Sequence, residues 1–134
     1  MRFGATVIHV PDVLRAVEFY ERAFGIRRRR VLGDGWCAEM DTGDTALVFQ
    51  FTADAKQQHE TVNWRSEPNY VPPGFHLTFV VPDVRAAYEL AREAGAVVEI
   101  EPTLTPSGEI DCWLLDLNGI AVRLVSADAP DRET

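Results

Sequence analysis

Residues 5–25, ATVIHVPDVLRAVEFYERAFG, and residues 76–95, HLTFVVPDVRAAYELAREAG, are two copies of one pattern. Both contain Val-Pro-Asp-Val, at 10–13 and at 81–84, and the second copy is one residue shorter. A repeat of this kind decides the architecture before any single element is assigned. In each copy a strand-like run ends at a proline, Pro11 or Pro82. The next residue, Asp12 or Asp83, stands where a carboxylate accepts backbone N–H bonds at a helix start. Val13, Val17, Phe19, Tyr20 and Phe24 in the first helix, and Val84, Ala87, Tyr88 and Leu90 in the second, make an apolar stripe that packs on a sheet. Gly25 and Gly95 are placed to stop the helices.

Working outward, WCAEMDTGDTALVFQ (36–50) lies without gaps on DCWLLDLNGIAVRLV (111–125), pairing Cys37 with Cys112 and Asp41 with Asp116. Each stretch reads as a hairpin, with Thr42-Gly43-Asp44-Thr45 and Leu117-Asn118-Gly119-Ile120 as the turns. Strands are expected at 2–9, 25–32, 35–40, 46–51, 75–81, 96–101, 109–115 and 120–126. The fold class is therefore α+β: two tandem β-α-β-β-β units forming cupped mixed sheets. One domain is expected over 1–127, with repeat 1 at about 3–52, a linker at 53–74 and repeat 2 at about 75–126. The polar linker carries His59, Trp64 and Tyr70 and is long enough to cover a binding site. The tail 128–134 is expected to be flexible.

With 134 residues, 46% of them hydrophobic, the chain can bury one real core. Its net charge of -8 argues against nucleic-acid or anionic-membrane partners, whose affinity comes from basic patches. No apolar stretch reads as a signal peptide or membrane span, so the expected compartment is the cytoplasm. Cys37 and Cys112 lack CxxC spacing and read as buried thiols. The run Arg27 to Arg30 reads as a solvated edge strand protected against mispairing.

Tandem β-α-β-β-β units, a strand entering a helix through Asp, the Phe19-Tyr20 pair and a closing Asp-x-Asn-Gly hairpin together resemble the vicinal-oxygen-chelate superfamily, which includes glyoxalase, bleomycin resistance and extradiol dioxygenase proteins. The resemblance covers about Phe3 to Ser126. It implies a cavity formed by the two units, often across a homodimer interface. It also implies metal ligands seven residues before each capping Asp and on the last strand of each unit. Those positions hold Ala5, His76, Val48 and Arg123, so only His76 could bind a metal. A divalent ion needs three or four His or carboxylate donors, and a neighbouring cation repels it.

The candidate ligand-binding residues are His76, Arg123, Trp113, His9 and Trp36. His76 shares a strand face with Thr78 and Val80, and His9 with Ala5 and Val7, by alternation. His9 reads equally as a partly exposed strand-end residue. Arg123 requires either an anionic ligand or a structural carboxylate, with Glu39 or Glu109 as candidates. Trp113 and Trp36 offer flat surfaces to an aromatic ligand, and Trp36 alternatively packs in the core or a dimer. The leading functional reading is a metal-free small-molecule-binding protein of the bleomycin-resistance type, sequestering an aromatic antibiotic or metabolite without a cofactor. The alternative is a lyase, isomerase or dioxygenase with an unconventional metal site, using His9, His76 and Glu39, or with His76 as an acid/base group. A third reading is an interaction or regulatory subunit.

Overall fold

A computed structural model describes residues 1–52 and 72–126. His59, Trp64, Tyr70 and the tail 128–134, singled out above, lie outside the described residues. The chain divides into two compact units, Met1–Glu67 and Pro68–Thr134.

The first unit runs β1 (Ala5–Val10), α1 (Val13–Phe24), β2 (Arg28–Leu32), β3 (Cys37–Met40) and β4 (Ala46–Phe51). Its sheet has the order β1-β4-β3-β2, with β1 parallel to β4 and the other pairs antiparallel. The Asp12 carboxylate accepts the Arg15 N–H at 3.1 Å, and Gly25 closes the helix in the left-handed region at φ 66°. Such an N-cap stabilises by about 1 kcal/mol. One face of the sheet, carrying Ile8, Val10, Ala38, Met40, Leu47 and Phe49, is buried with the α1 residues Val17, Phe19 and Tyr20. The Tyr20 and Phe49 rings meet edge-on with centroids 4.9 Å apart. Full burial of each such side chain contributes roughly 1.5–3 kcal/mol.

The arginine run forms the edge of this sheet. A register break between Arg28 and Arg30 sends the three side chains to different partners. Arg28 grips Glu21 of α1 through two bonds, from Nε at 3.0 Å and Nη2 at 2.7 Å. Arg29 reaches Asp41 at 3.0 Å and Arg30 reaches Glu39 at 2.8 Å. Exposed pairs of this kind stabilise by about 0–1 kcal/mol each, and their main effect is to give the edge a charged surface that other strands do not join.

The second unit repeats the plan with β5 (Leu77–Val81), α2 (Val84–Glu93), β6 (Val97–Leu104), β7 (Ile110–Leu115) and β8 (Ala121–Ser126), in the sheet order β5-β8-β7-β6. Asp83 caps α2 as Asp12 caps α1, accepting the Ala86 N–H at 3.1 Å. Val84, Tyr88 and Ala91 are the buried residues of α2. Leu90, expected in the apolar stripe, is 49% exposed. The stripe turns through Ala91 instead, at the i+3 spacing from Tyr88 that the helical period favours.

The gapless hairpin alignment holds for β4 with β8 but slips by one residue on β3. Val48 pairs with Glu39, whereas Arg123 pairs with Trp113. The repeat counterpart of Trp113 is therefore Glu39, that of Cys112 is Ala38, and Cys37 matches Asp111. The cause is a turn one residue longer in the second hairpin. There the Asp116 carboxylate accepts the N–H groups of Asn118 at 2.8 Å and Ile120 at 2.9 Å. The corresponding turn of the first hairpin is held by Thr42 Oγ1 donating to the Thr45 carbonyl at 2.7 Å. Element ends also shift: β1 begins at Ala5 rather than Arg2, β5 begins just after His76, and β6 extends to Leu104.

Candidate functional site

Alternation along the strands sends half the side chains of each sheet to the face without a helix. In the second unit, cross-strand register brings Thr78, Arg123 and Trp113 into one row across β5, β8 and β7. Ile100 of β6 extends the row beside Trp113. His76, just before β5, is exposed and lies against the indole, with ring centroids 4.6 Å apart at 65°. Its Nε2 and Thr78 Oγ1 hydrogen-bond at 2.9 Å. His76, Trp113 and Arg123 thus form one cluster.

Arg123 is held on two sides. Its Nε donates to Asp111 Oδ2 at 2.7 Å and its Nη2 to Glu109 Oε2 at 3.0 Å. The Glu109 side chain is fully buried, and Arg123 and Asp111 retain only 15% and 10% exposure. Burial pulls the Arg123 pKa down, but the bonds to Asp111 and Glu109 outweigh it and leave the guanidinium above its ordinary value. Such charge-assisted bonds hold a planar fork in one orientation. Of the two carboxylates proposed for Arg123, Glu109 is the partner, while Glu39 is engaged by Arg30 and Arg29. Asp111 was missed, although it stands two residues before Trp113 and therefore on the same face.

His9 lies on the helix-free face of the first sheet, paired in register with Gln50, and is partly buried. Burial lowers its pKa below 6.5. The unfolded chain therefore takes up a proton at a pH where the folded chain does not. The stability contributed by neutral His9 is complete above about pH 6.5 and is lost as pH falls toward the folded pKa. Urea unfolding between pH 7.5 and pH 5 is expected to show this loss, and His9→Gln is expected to flatten it. Trp36 stands elsewhere. It precedes β3 on the helix side of the first sheet, 39% exposed, beside Leu14 and Phe51. It is thus not the counterpart of Trp113.

Both cysteines are buried and free. Burial pushes the Cys37 thiol up and the Cys112 thiol up to about 11, so neither is a ready nucleophile near neutral pH. Ala5 and Val48 lie on the helix-free face of the first sheet and offer no donor atom, and Arg123 offers a cation. Among the described residues, no group of three His, Cys, Asp or Glu could hold a metal ion. The donor chemistry at the positions implied by the resemblance does not fit a divalent ion.

The sequence profile of the Glyoxalase/Bleomycin resistance protein/Dioxygenase superfamily matches residues 2–124. The chain belongs to this superfamily. Solved structures agree on the fold. One is a glyoxalase/bleomycin resistance protein/dioxygenase family enzyme from Burkholderia phytofirmans PsJN, with TM-score 0.78 and 20% identity over 94% of this chain and 98% of that one. A glyoxalase-related enzyme from Fulvimarina pelagi gives TM-score 0.78 and 16% identity over 96% and 95%. A hypothetical protein from S. aureus gives 0.77 and 19% over 95% and 94%. No curated protein matches the sequence. At these identities the superfamily structures speak for the fold, while the glyoxalase and dioxygenase chemistry in the superfamily's name belongs to those members whose sites carry it. No described helix is long and apolar enough to cross a membrane.

Proposed function

We propose that this superfamily member is a metal-free binding protein that sequesters a small aromatic compound, an antibiotic or metabolite, on the helix-free face of its second unit. The observation that carries this reading is Arg123. It occupies the position where the resemblance implies a metal-ligating Glu, and it is held there by two carboxylates beside the Trp113 indole and His76. A guanidinium fixed in this way is a structural support for a stacking surface. It repels a metal ion, and because Glu109 and Asp111 already take up its charge it is a poor lone anchor for an anion. Trp113 supplies a flat surface and Ile100 further apolar contact beside it, and Thr78 and His76 supply polar contacts at its edge. On this reading the protein acts as a homodimer in the cytoplasm.

Elemental analysis of protein purified without a metal-chelating step, with Zn²⁺, Mn²⁺, Ni²⁺ and Fe²⁺ titrated into wild type and His76→Ala, tests the metal-free part. The expected result is no stoichiometric metal and no difference between the two proteins. Near-stoichiometric metal that disappears in His76→Ala would overturn the proposal in favour of a lyase or dioxygenase. For the ligand part, a panel of aromatic antibiotics is screened by quenching of tryptophan emission. A compound that binds wild type is expected to lose about tenfold in affinity on Trp113→Ala.

A further inference from the structure

Each unit has a groove at the amino-terminal end of its helix, and the repeat relates the two. In the first unit it measures about 550 Å³ and is lined by Asp12, Leu14, Asp34, Trp36 and Phe51 among others. In the second it measures about 440 Å³, and the counterparts of Asp12, Leu14, Trp36 and Phe51 are Asp83, Arg85, Ile110 and Ser126. What the two grooves share, the Pro-Asp-Val turn into the helix, is what the fold requires. What differs is free of that requirement. Where the second groove has the cation of Arg85 and the hydroxyl of Ser126, the first has Leu14 and Phe51, and an indole stands in the place of Ile110.

These apolar side chains are left in contact with solvent: Leu14 is 44% exposed, Trp36 39% and Phe51 38%. The indole is seated by its own loop. Gly33 has φ 56°, and a Cβ there would collide with Nε1 and Cδ1 of Trp36. Trp36 is therefore held against backbone that only glycine provides. No basic side chain lines the groove among the described residues, and two carboxylates do. Asp12 already caps α1, which leaves Asp34 as the charge presented to an occupant.

We propose that this groove binds an amphipathic organic cation, an aromatic amine whose apolar body lies against Leu14, Trp36 and Phe51 and whose charge faces Asp34. An aromatic face attracts cations through its quadrupole, and the nearby carboxylate adds to that attraction. The groove belongs to the first unit, whereas Trp113 and Arg123 belong to the second.

The probe is ethidium, a planar aromatic cation, compared with the anion 8-anilinonaphthalene-1-sulfonate. Both are titrated into a Trp113→Ala background so that binding at the second unit does not dominate the signal. Ethidium is expected to bind in that background, more tightly than the anion. Trp36→Leu is expected to weaken it about tenfold and Asp34→Lys about fivefold, with the anion gaining affinity in the latter. Asp34 is exposed in a turn, so Asp34→Lys reports on the site even if Trp36→Leu unfolds the protein. Ethidium affinity unchanged by Asp34→Lys, no ethidium binding in the background, or equal binding of the anion would each overturn the proposal.

Discussion

Replacing Arg123 by methionine is expected to lower the unfolding free energy by about 3–5 kcal/mol at neutral pH, because two carboxylates that have little or no contact with water lose their shared cation. The magnitude follows from the asymmetry of buried ion pairs. Forming one gains little over a well-packed apolar group, since desolvation offsets the attraction, but removing one partner leaves the other's charge in a poor environment. Glu109 is the more demanding of the two, with a fully buried side chain, and its other oxygen accepts a bond from Ser107 Oγ at 3.4 Å. Urea denaturation should show the loss as a fall in midpoint at constant slope. The triple variant Arg123→Met, Glu109→Gln, Asp111→Asn should recover most of it. Recovery would separate the charge imbalance from loss of packing by the arginine stem.

Asp116→Ala is expected to cost about 2–4 kcal/mol, since its carboxylate satisfies two backbone N–H groups in a buried turn and each would be left without an acceptor. Asp116 is only 2% exposed, and water cannot readily replace the lost oxygen. Asp41, which the gapless alignment lays on Asp116, makes a useful contrast. It is exposed and its carboxylate meets Arg29, so Asp41→Ala is expected to cost no more than about 1 kcal/mol. Equal losses for the two aspartates would show that the hairpins are equivalent after all and that the one-residue slip is wrong. Thermal unfolding of both single variants under one buffer condition decides it.

The repeat, the two caps and the eight strands were legible because each rests on a local signal. Val-Pro-Asp-Val ends a strand and opens a helix by the chemistry of three adjacent residues, and the structure has both caps in place. The one-residue slip between hairpins was not legible, because both turns carry a glycine and both strands alternate acceptably in either register. Only cross-strand pairing distinguishes Glu39 from Ala38 as the repeat counterpart of Trp113. Of the five candidate ligand-binding residues, His76, Trp113 and Arg123 lie together in the second unit, whereas His9 and Trp36 lie on opposite faces of the first sheet. Asp111 was overlooked because a carboxylate inside the strand expected at 109–115 carries no local sign of the cation it faces; only the pairing of β7 with β8 brings it to Arg123. The face of Trp36 was not legible because it depends on where β3 begins, and a strand start is the feature that composition specifies least. Leu90 shows the limit from the other side: a hydrophobic residue at nearly the right helical angle was counted as core, although Ala91 fills that position.

In each sheet the first strand pairs with the last: β1 lies beside β4 and β5 beside β8. During synthesis, then, the leading strand of a unit has no hydrogen-bonding neighbour until its helix and the intervening hairpin have all been made. Ala5 waits for Ala46, whereas β3 and β4 find one another across a short turn. Hairpin closure should come first and docking of the leading strand last, because the longer loop loses more entropy on closing. Once Phe51 at the end of β4 has emerged, every strand of the first sheet has nevertheless been delivered. That sheet can close before the second repeat exists.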